Sequence, residues 1–501
     1  MGLAISMWSK ILTLMCLLTA SHCTQDTVER ETKLGRVMGL QLNVLNKSIE
    51  QYQGIPYAEA PLGSRRFRAS IPFTPWNGTY DATSRRTACP QRGFSGISAT
   101  GINYTEDCLH LHVWTPHREQ NQHVEPVPVL VWIHGGGFTH GTASNPNYNG
   151  SILCAKTGFV VVSMNYRLDI LGFLDASSVE APGNMGLMDQ TLALEWIKEN
   201  AKFFGGDPLK VTLFGESAGA MSVHAHMLSP LSRYLFQNAI LLSGTLYTID
   251  FYDSPQQSLQ MAQRVSKIVN CSDEKWNLST NPDEFIRCLR NVSVDELLSA
   301  SGEAASPYLG TFQPSYHNNF LPKDPRTATE RGLLQEVDIV LGVTSDETCW
   351  ALTRAVRRGL LVEDLESENA TTIREVLERT METQIINIQP STVQQYLDNA
   401  FNNSNTALVR QYLDYLSDRM FNCPVHFLAN RHAARGNKVF SYVFDHKQST
   451  SNLPTWIGAP HSSELPFLFG QPLAHATHMG DEDYNISEAL IRILSSFART
   501  G

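Results

Sequence analysis

The chain has 501 residues, of which 42% are hydrophobic and only 18% charged, a balance that supports a large buried core and excludes a disordered chain. A formal net charge of −10 argues against a polyanion partner, because phosphate binding draws its affinity from clustered Lys and Arg, so no nucleic acid is expected. Length alone is compatible with about two to four domains, yet α/β enzymes often exceed the usual domain size, which leaves one large domain open.

The first ten residues carry one lysine, Lys10, and are followed by the apolar run Ile11–Ala20 and by Ser21–Cys23 before a polar stretch. This is the pattern of a cleaved signal peptide over residues 1–23. The run is about half the ~20 residues a membrane span needs, so no transmembrane span is expected. The mature protein, residues 24–501, is expected to be secreted or to enter the ER lumen. Met1-Gly2 with Ser6 also fits a myristoylation pattern, but the secretory run behind it sends the chain away from the cytosol. Of nine cysteines, Cys16 and Cys23 leave with the signal peptide, and the seven that remain meet an oxidising compartment, where an odd number leaves one thiol over. Asn-X-Ser/Thr sequons at Asn46, Asn77, Asn103, Asn149, Asn270, Asn277, Asn291, Asn369, Asn402 and Asn485 are expected glycan sites in that compartment.

From about residue 110 to 250, apolar runs of strand type alternate with helical patterns, the signature of βαβ units and a largely parallel sheet. Buried strands are predicted at 127–133, 159–164 and 211–214, with a helix around 191–198. After 250 the pattern turns more helical, over 292–301 and 373–400, before a strand at 439–444. No internal repeat, low-complexity tract or flexible linker interrupts it.

Gly215-Glu-Ser217-Ala-Gly219 stands between a predicted strand and the helical stretch 221–227, the context of a nucleophile elbow, where a tight turn projects the serine hydroxyl from the sheet. Bare GxSxG arises by chance roughly once in five or ten chains of this length, so placement must carry the argument. Upstream, the strand ending at Ile133 runs into His134-Gly-Gly-Gly137. Acyl transfer develops negative charge on a carbonyl oxygen, and losing one N–H donor to it costs about 3 to 4 kcal/mol. Gly136 and Gly137 let the backbone approach that anion, and Ala218, just after the serine, supplies a further N–H.

Residues from about 30 to 501 resemble the type-B carboxylesterase and cholinesterase family. The motifs that carry the resemblance are Gln53-Gly-Ile-Pro-Tyr-Ala58, Arg66-Phe67, Glu106-Asp-Cys-Leu109, Asn165-Tyr-Arg167, Gly183-Asn-Met-Gly186 and the long run Phe204–Gly219. The resemblance implies the α/β-hydrolase fold as a single domain over residues 24–501, with a large, mostly parallel central sheet flanked by helices. It also implies hydrolysis of small-molecule carboxylic esters through an acyl-enzyme. By that likeness the triad is Ser217, Glu347 in Gly342–Glu347 and His461 in Gly458–Phe467, in the chain order of the fold. His461 is the implied general base and Glu347 the group that fixes its tautomer, with Asp346 the neighbouring carboxylate left to a loop hydrogen-bonding role. Glu216 and Ser243 are implied neighbours that shape the site. Disulfides Cys89–Cys108 and Cys271–Cys288 are implied as well, each closing a loop worth roughly 3 kcal/mol. Cys423 resembles a cysteine that cholinesterases pair with one nearer the C-terminus, and no cysteine follows it. It is therefore a free thiol, or the chain stops at Gly501 short of a tail that family members carry.

Cholinesterases hold quaternary ammonium groups by cation–π contact with a Trp on the first disulfide loop. Here the loop from Cys89 to Cys108 has Phe94 and Tyr104 as its only aromatics, so a general carboxylesterase is expected rather than a cholinesterase. Trp350 is expected to be an apolar pocket wall, and Tyr308 and Phe312 belong to an acyl pocket that lacks the close Phe pair of acetylcholinesterases. Gly-Glu-Ser in place of Gly-Gln-Ser disfavours a juvenile-hormone esterase. A non-catalytic adhesion protein of the same fold is the rival class, and an intact triad speaks against it. His110 and His112 are read as packing or surface substitutions, and His224 and His226 as structural residues. No HExxH, CxxC or acidic metal cluster occurs, so neither metal nor other cofactor is expected.

Overall fold

The computed structural model describes residues 26–501 apart from 85, 94–95, 98–100, 119–124, 249–251, 273–281, 306–311, 358, 360–363, 385–389, 401–403 and 475–478. The signal-peptide expectation therefore lies outside the described residues, as do Asn277, Tyr308 and Asn402. Strands β1 (Thr27–Thr32), β2 (Gly35–Val44), β3 (Lys47–Pro56) and β4 (His110–Pro116) pair antiparallel. Strands β5 (Val127–Ile133), β6 (Val160–Met164), β7 (Gly206–Glu216), β8 (Asn238–Leu242), β9 (Asp338–Thr344) and β10 (Val439–Phe444) form the parallel part. Their order is β1-β2-β3-β4-β6-β5-β7-β8-β9-β10, and Thr79–Asp81 beside β2 completes an 11-stranded sheet.

The inner parallel strands β5, β6 and β8 read as continuous apolar runs because both faces are covered, whereas β10 at the sheet edge leaves Phe440 and Val443 exposed. Along β5, Val129, Val131 and Ile133 point into one core, while Leu130 and Trp132 point into a second core with Phe214 and Phe469, the two-residue period of a strand. The helices α1 (Ser151–Thr157), α2 (Met185–Asn200), α3 (Ala218–Leu228) and α5 (Asp481–Thr500) divide between the faces, and α4 (Asn405–Ser417) lies apart from them. Leu194 of α2 and Val223 of α3 join the first core, and Leu153 of α1 and Leu494 of α5 the second. Every residue of α3 is buried, which explains why no face of it is charged and why its polar residues Ser222, His224 and His226 are each hydrogen-bonded. Leu408 and Leu413 of α4 belong to a separate helical cluster with Leu377 and Leu397.

Several motifs behind the family likeness serve this architecture. Arg167 grips Asp189 with Nε and Nη2 at 2.8 and 2.7 Å, and both are buried. Arg66 holds Glu106 in the same forked way, at 2.7 Å for each bond. His112 accepts the N–H of Gly54 at 2.9 Å, His224 that of Leu246 at 3.2 Å, and His226 lies between Ser232 and Gln190.

Disulfides join Cys89 to Cys108 and Cys271 to Cys288. They leave Cys154, Cys349 and Cys423 as thiols, three where the odd count predicts one, because among the described residues no further pair of cysteines meets. Asn46, Asn77, Asn103, Asn149, Asn270, Asn291, Asn369 and Asn485 are exposed, as glycan attachment requires. Among the described residues, no helix is long and apolar enough to cross a membrane, and no group of three or more His, Cys, Asp or Glu is arranged to hold a metal ion.

Candidate active site

The sheet's topology chooses the place. β6 lies on one side of β5 and β7 on the other, and in such sheets the crevice at the carboxyl ends of the strands around this reversal is the ligand site. Ile133, the last residue of β5, pairs with Gly215 of β7, so the chain segments starting at His134 and at Glu216 leave the sheet side by side.

Ser217 joins β7 to α3 at φ 56 and ψ −124, a conformation that L-residues avoid and that strained functional turns tolerate. The flanking glycines are there for close approach rather than for unusual dihedrals. A Cβ on Gly219 would stand 2.1 Å from the Ile133 carbonyl oxygen, and one on Gly215 would stand 2.5 Å from the Gly219 carbonyl carbon. Across the crevice, Gly136 has φ 113, and a Cβ there would meet the His140 carbonyl oxygen at 2.1 Å. Among the described residues no carbonyl accepts the N–H of Gly136 or Gly137, and Ala218 contributes the first N–H of α3, one of the donors a helix leaves unpaired at its start.

Beyond β9, two adjacent carboxylates take different tasks. Asp346 accepts the N–H of Gly458 and pairs with Arg410 at 2.5 Å, while its own N–H donates to Ala459 at 2.9 Å. It clamps the loop that carries His461. Glu347 accepts the Thr344 N–H on Oε1 at 2.7 Å and meets His461 Nδ1 with Oε2 at 2.5 Å. Nε2 of His461 lies 3.1 Å from Glu216 Oε1. The structure thus brings Glu347, His461 and Glu216 into contact, whereas Ser217 Oγ forms no hydrogen bond with His461 or any other described residue.

Burial by itself holds the imidazole of His461 below its ordinary value, but Glu216, Glu347 and then Glu464 push it up to about 9. Burial likewise raises the carboxyl of Glu216, opposed by His461 and by the Ser462 hydroxyl. Ser243 is fully buried at φ 52, and its N–H donates to Gly342 at 2.9 Å. The next residue passes under the elbow, since a Cβ on Gly244 would stand 2.5 Å from the Ser217 carbonyl oxygen. Phe312 packs into the main core, and Trp350 begins the helix Trp350–Arg357 with 36% of its surface exposed.

Three participants escape the sequence reading. Glu464 is buried with neither carboxylate oxygen hydrogen-bonded, and burial, then Glu216 and Glu347, raises its carboxyl to about 8. The signal for it was an acid set against the apolar Leu465–Leu468. Ser462 donates to Glu216 Oε1. Phe421 lays its ring 4.9 Å from that of His461, from a π-helical turn at Asp418–Asn422 that no local pattern announces.

A family model described as "Carboxylesterase family" matches residues 26–501. The chain is 37% identical to an acetylcholinesterase of Bungarus fasciatus over 487 residues, covering 94% of this chain and 78% of that protein. It is 33% identical to an acetylcholinesterase of Leptinotarsa decemlineata, over 95% of this chain and 79% of the other. Likeness to an acetylcholinesterase of Danio rerio is 35%, covering 94% and 79% respectively.

Proposed function

The chain belongs to the carboxylesterase family and is a serine carboxylic-ester hydrolase, and from that premise we propose that it is a secreted carboxylesterase acting on uncharged small-molecule esters through Ser217, His461 and Glu347. The observation that carries the reading is the 2.5 Å contact of the buried Glu347 with His461 Nδ1, made beyond the carboxyl end of β9 in the same sheet whose β7 ends in the strained Ser217 turn.

In the reaction, Ser217 Oγ attacks the ester carbonyl carbon while Nε2 of His461 takes its proton. The N–H groups of Gly136, Gly137 and Ala218 receive the oxyanion. Collapse breaks the bond to the alcohol, which leaves with the proton from His461, and the acyl group stays on Ser217. Water, deprotonated by the same nitrogen, then releases the acid. Glu347 holds Nδ1 throughout and stabilises the imidazolium. For the first step Nε2 turns from Glu216 to Ser217.

Choice of an uncharged ester rests on the Cys89–Cys108 loop, closed by its disulfide and without a Trp to face a quaternary ammonium. Secretion rests on the N-terminal apolar run together with the two disulfides. A choline-ester reading has its own support in the buried Glu216 and in the names of the relatives.

The test is hydrolysis of a p-nitrophenyl ester series and of acetylthiocholine by the secreted protein, with Ser217→Ala and an organophosphate as controls. Turnover of butyrate or longer esters, lost with Ser217→Ala and with the inhibitor, supports the proposal. Preference for acetylthiocholine transfers it to choline esters. A folded protein that turns over none of them and leaves Ser217 unlabelled refutes it.

A further inference from the structure

Ser462 follows the base directly and sits at φ 69, a left-handed conformation that glycine adopts freely and serine does not. Its hydroxyl donates to Glu216 Oε1 at 2.5 Å, the same oxygen that lies 3.1 Å from His461 Nε2. A carboxylate oxygen has lone pairs for both donors. We propose that Ser462 is a positioning residue whose hydroxyl holds the Glu216 carboxylate against Nε2 of His461, so that the resting base is engaged by Glu216 in place of Ser217.

With Nδ1 donating to Glu347 and Nε2 to Glu216, both ring nitrogens carry protons, and an imidazolium cannot accept the proton of Ser217. The groups facing the ring are Glu347 from the end of β9, Glu216 from the end of β7, Glu464 from its own loop and the uncharged ring of Phe421. Tyr148, Tyr166 and Tyr442 stand near the same carboxylates with their phenols kept neutral by burial. Among the described residues, the Ser462 hydroxyl is the uncharged side-chain donor bonded to Glu216. Removing it makes the Glu216 anion less favourable, weakens its hold on the imidazolium and lets His461 lose its proton at lower pH.

The inference rests on ester hydrolysis by Ser217, and its test has one readout that does not. Ser462→Gly suits the backbone at this position, so folding is preserved. In the full chain, kcat/KM for p-nitrophenyl butyrate is measured against pH for wild type, Ser462→Gly, Glu216→Gln and the double variant. In parallel, the downfield imidazole N–H resonance of His461 is titrated by proton NMR. Expected is a shift of the acid limb and of the NMR titration to lower pH by about one unit in Ser462→Gly, absent when the same change is made in the Glu216→Gln background. Coincident wild-type and Ser462→Gly titrations, or a shift that persists in the Glu216→Gln background, overturn the inference. A protein inert toward every ester but showing the NMR shift upholds it while removing the ester-hydrolase reading.

Discussion

Replacing Gly219 with alanine puts a methyl group where β5 and α3 leave no room. The added carbon would stand 2.1 Å from the Ile133 carbonyl oxygen and 3.0 Å from its carbon, both backbone atoms with no rotamer to give way. Ordinary contact begins at 3.4 Å, so the start of α3 and the end of β5 must part by roughly 1 Å. Ile133 leads directly into the Gly136–Gly137 turn, and Ser217 lies two residues before Gly219, so the displacement separates the nucleophile from two of the three oxyanion donors. A misplacement of about 1 Å costs on the order of 100-fold in rate, or about 2.7 kcal/mol of transition-state stabilisation. The overpacked core loses a further 1–3 kcal/mol of folding stability, to order of magnitude. Steady-state hydrolysis of p-nitrophenyl butyrate, normalised by organophosphate titration of Ser217, measures the first quantity and urea unfolding the second. A folded Gly219→Ala protein whose kcat/KM stays within about threefold of wild type would refute the steric account of the elbow.

Arg167→Ala strands Asp189 in the core without its cation and is expected to cost about 3–5 kcal/mol in denaturant unfolding; a loss below about 1 kcal/mol would mean that the pair contributes no more than a surface ion pair does. Arg410→Ala removes the cation from buried Asp346, loosens the loop carrying His461, and should lower kcat more than it raises KM. An unchanged kcat would show that the backbone contacts at Gly458 and Ala459 hold the loop unaided. Glu464 keeps its proton in the fold up to about pH 8 against an ordinary value of 4.5. Between these values the unfolded chain binds fewer protons than the folded one, so this residue makes stability fall as pH rises. Glu464→Gln should therefore raise Tm relative to wild type more near pH 8 than near pH 5, and an equal change at both would contradict the buried-acid assignment.

What the chain itself declares is what short segments decide. The apolar runs of β5, β6 and β7 appear as strands because both faces of each are covered, β10 appears through its β-branched and aromatic residues although it is an edge strand with Phe440 and Val443 exposed, and the GxSxG and Gly-Gly-Gly segments appear because glycine is needed wherever backbones nearly touch. The antiparallel β1–β3 went unread, since much of β1 and β2 is exposed or half-buried and carries charged and polar residues that resemble loop. Likeness to a family supplied Glu347 and His461, which no local pattern distinguishes from Asp346 or from the other histidines. Tertiary structure alone named the loop partners of Asp346, Gly458 and Arg410, set Glu216 against Nε2, and buried Glu464 and Phe421 beside the base. These groups come from the ends of β7 and β9, from a helical turn near 420 and from the loop around 461. Their charges and distances exist only once the sheet has brought those segments together and excluded water from between them, because electrostatic coupling depends on separation in space and on the dielectric around it, and neither is a property of sequence spacing.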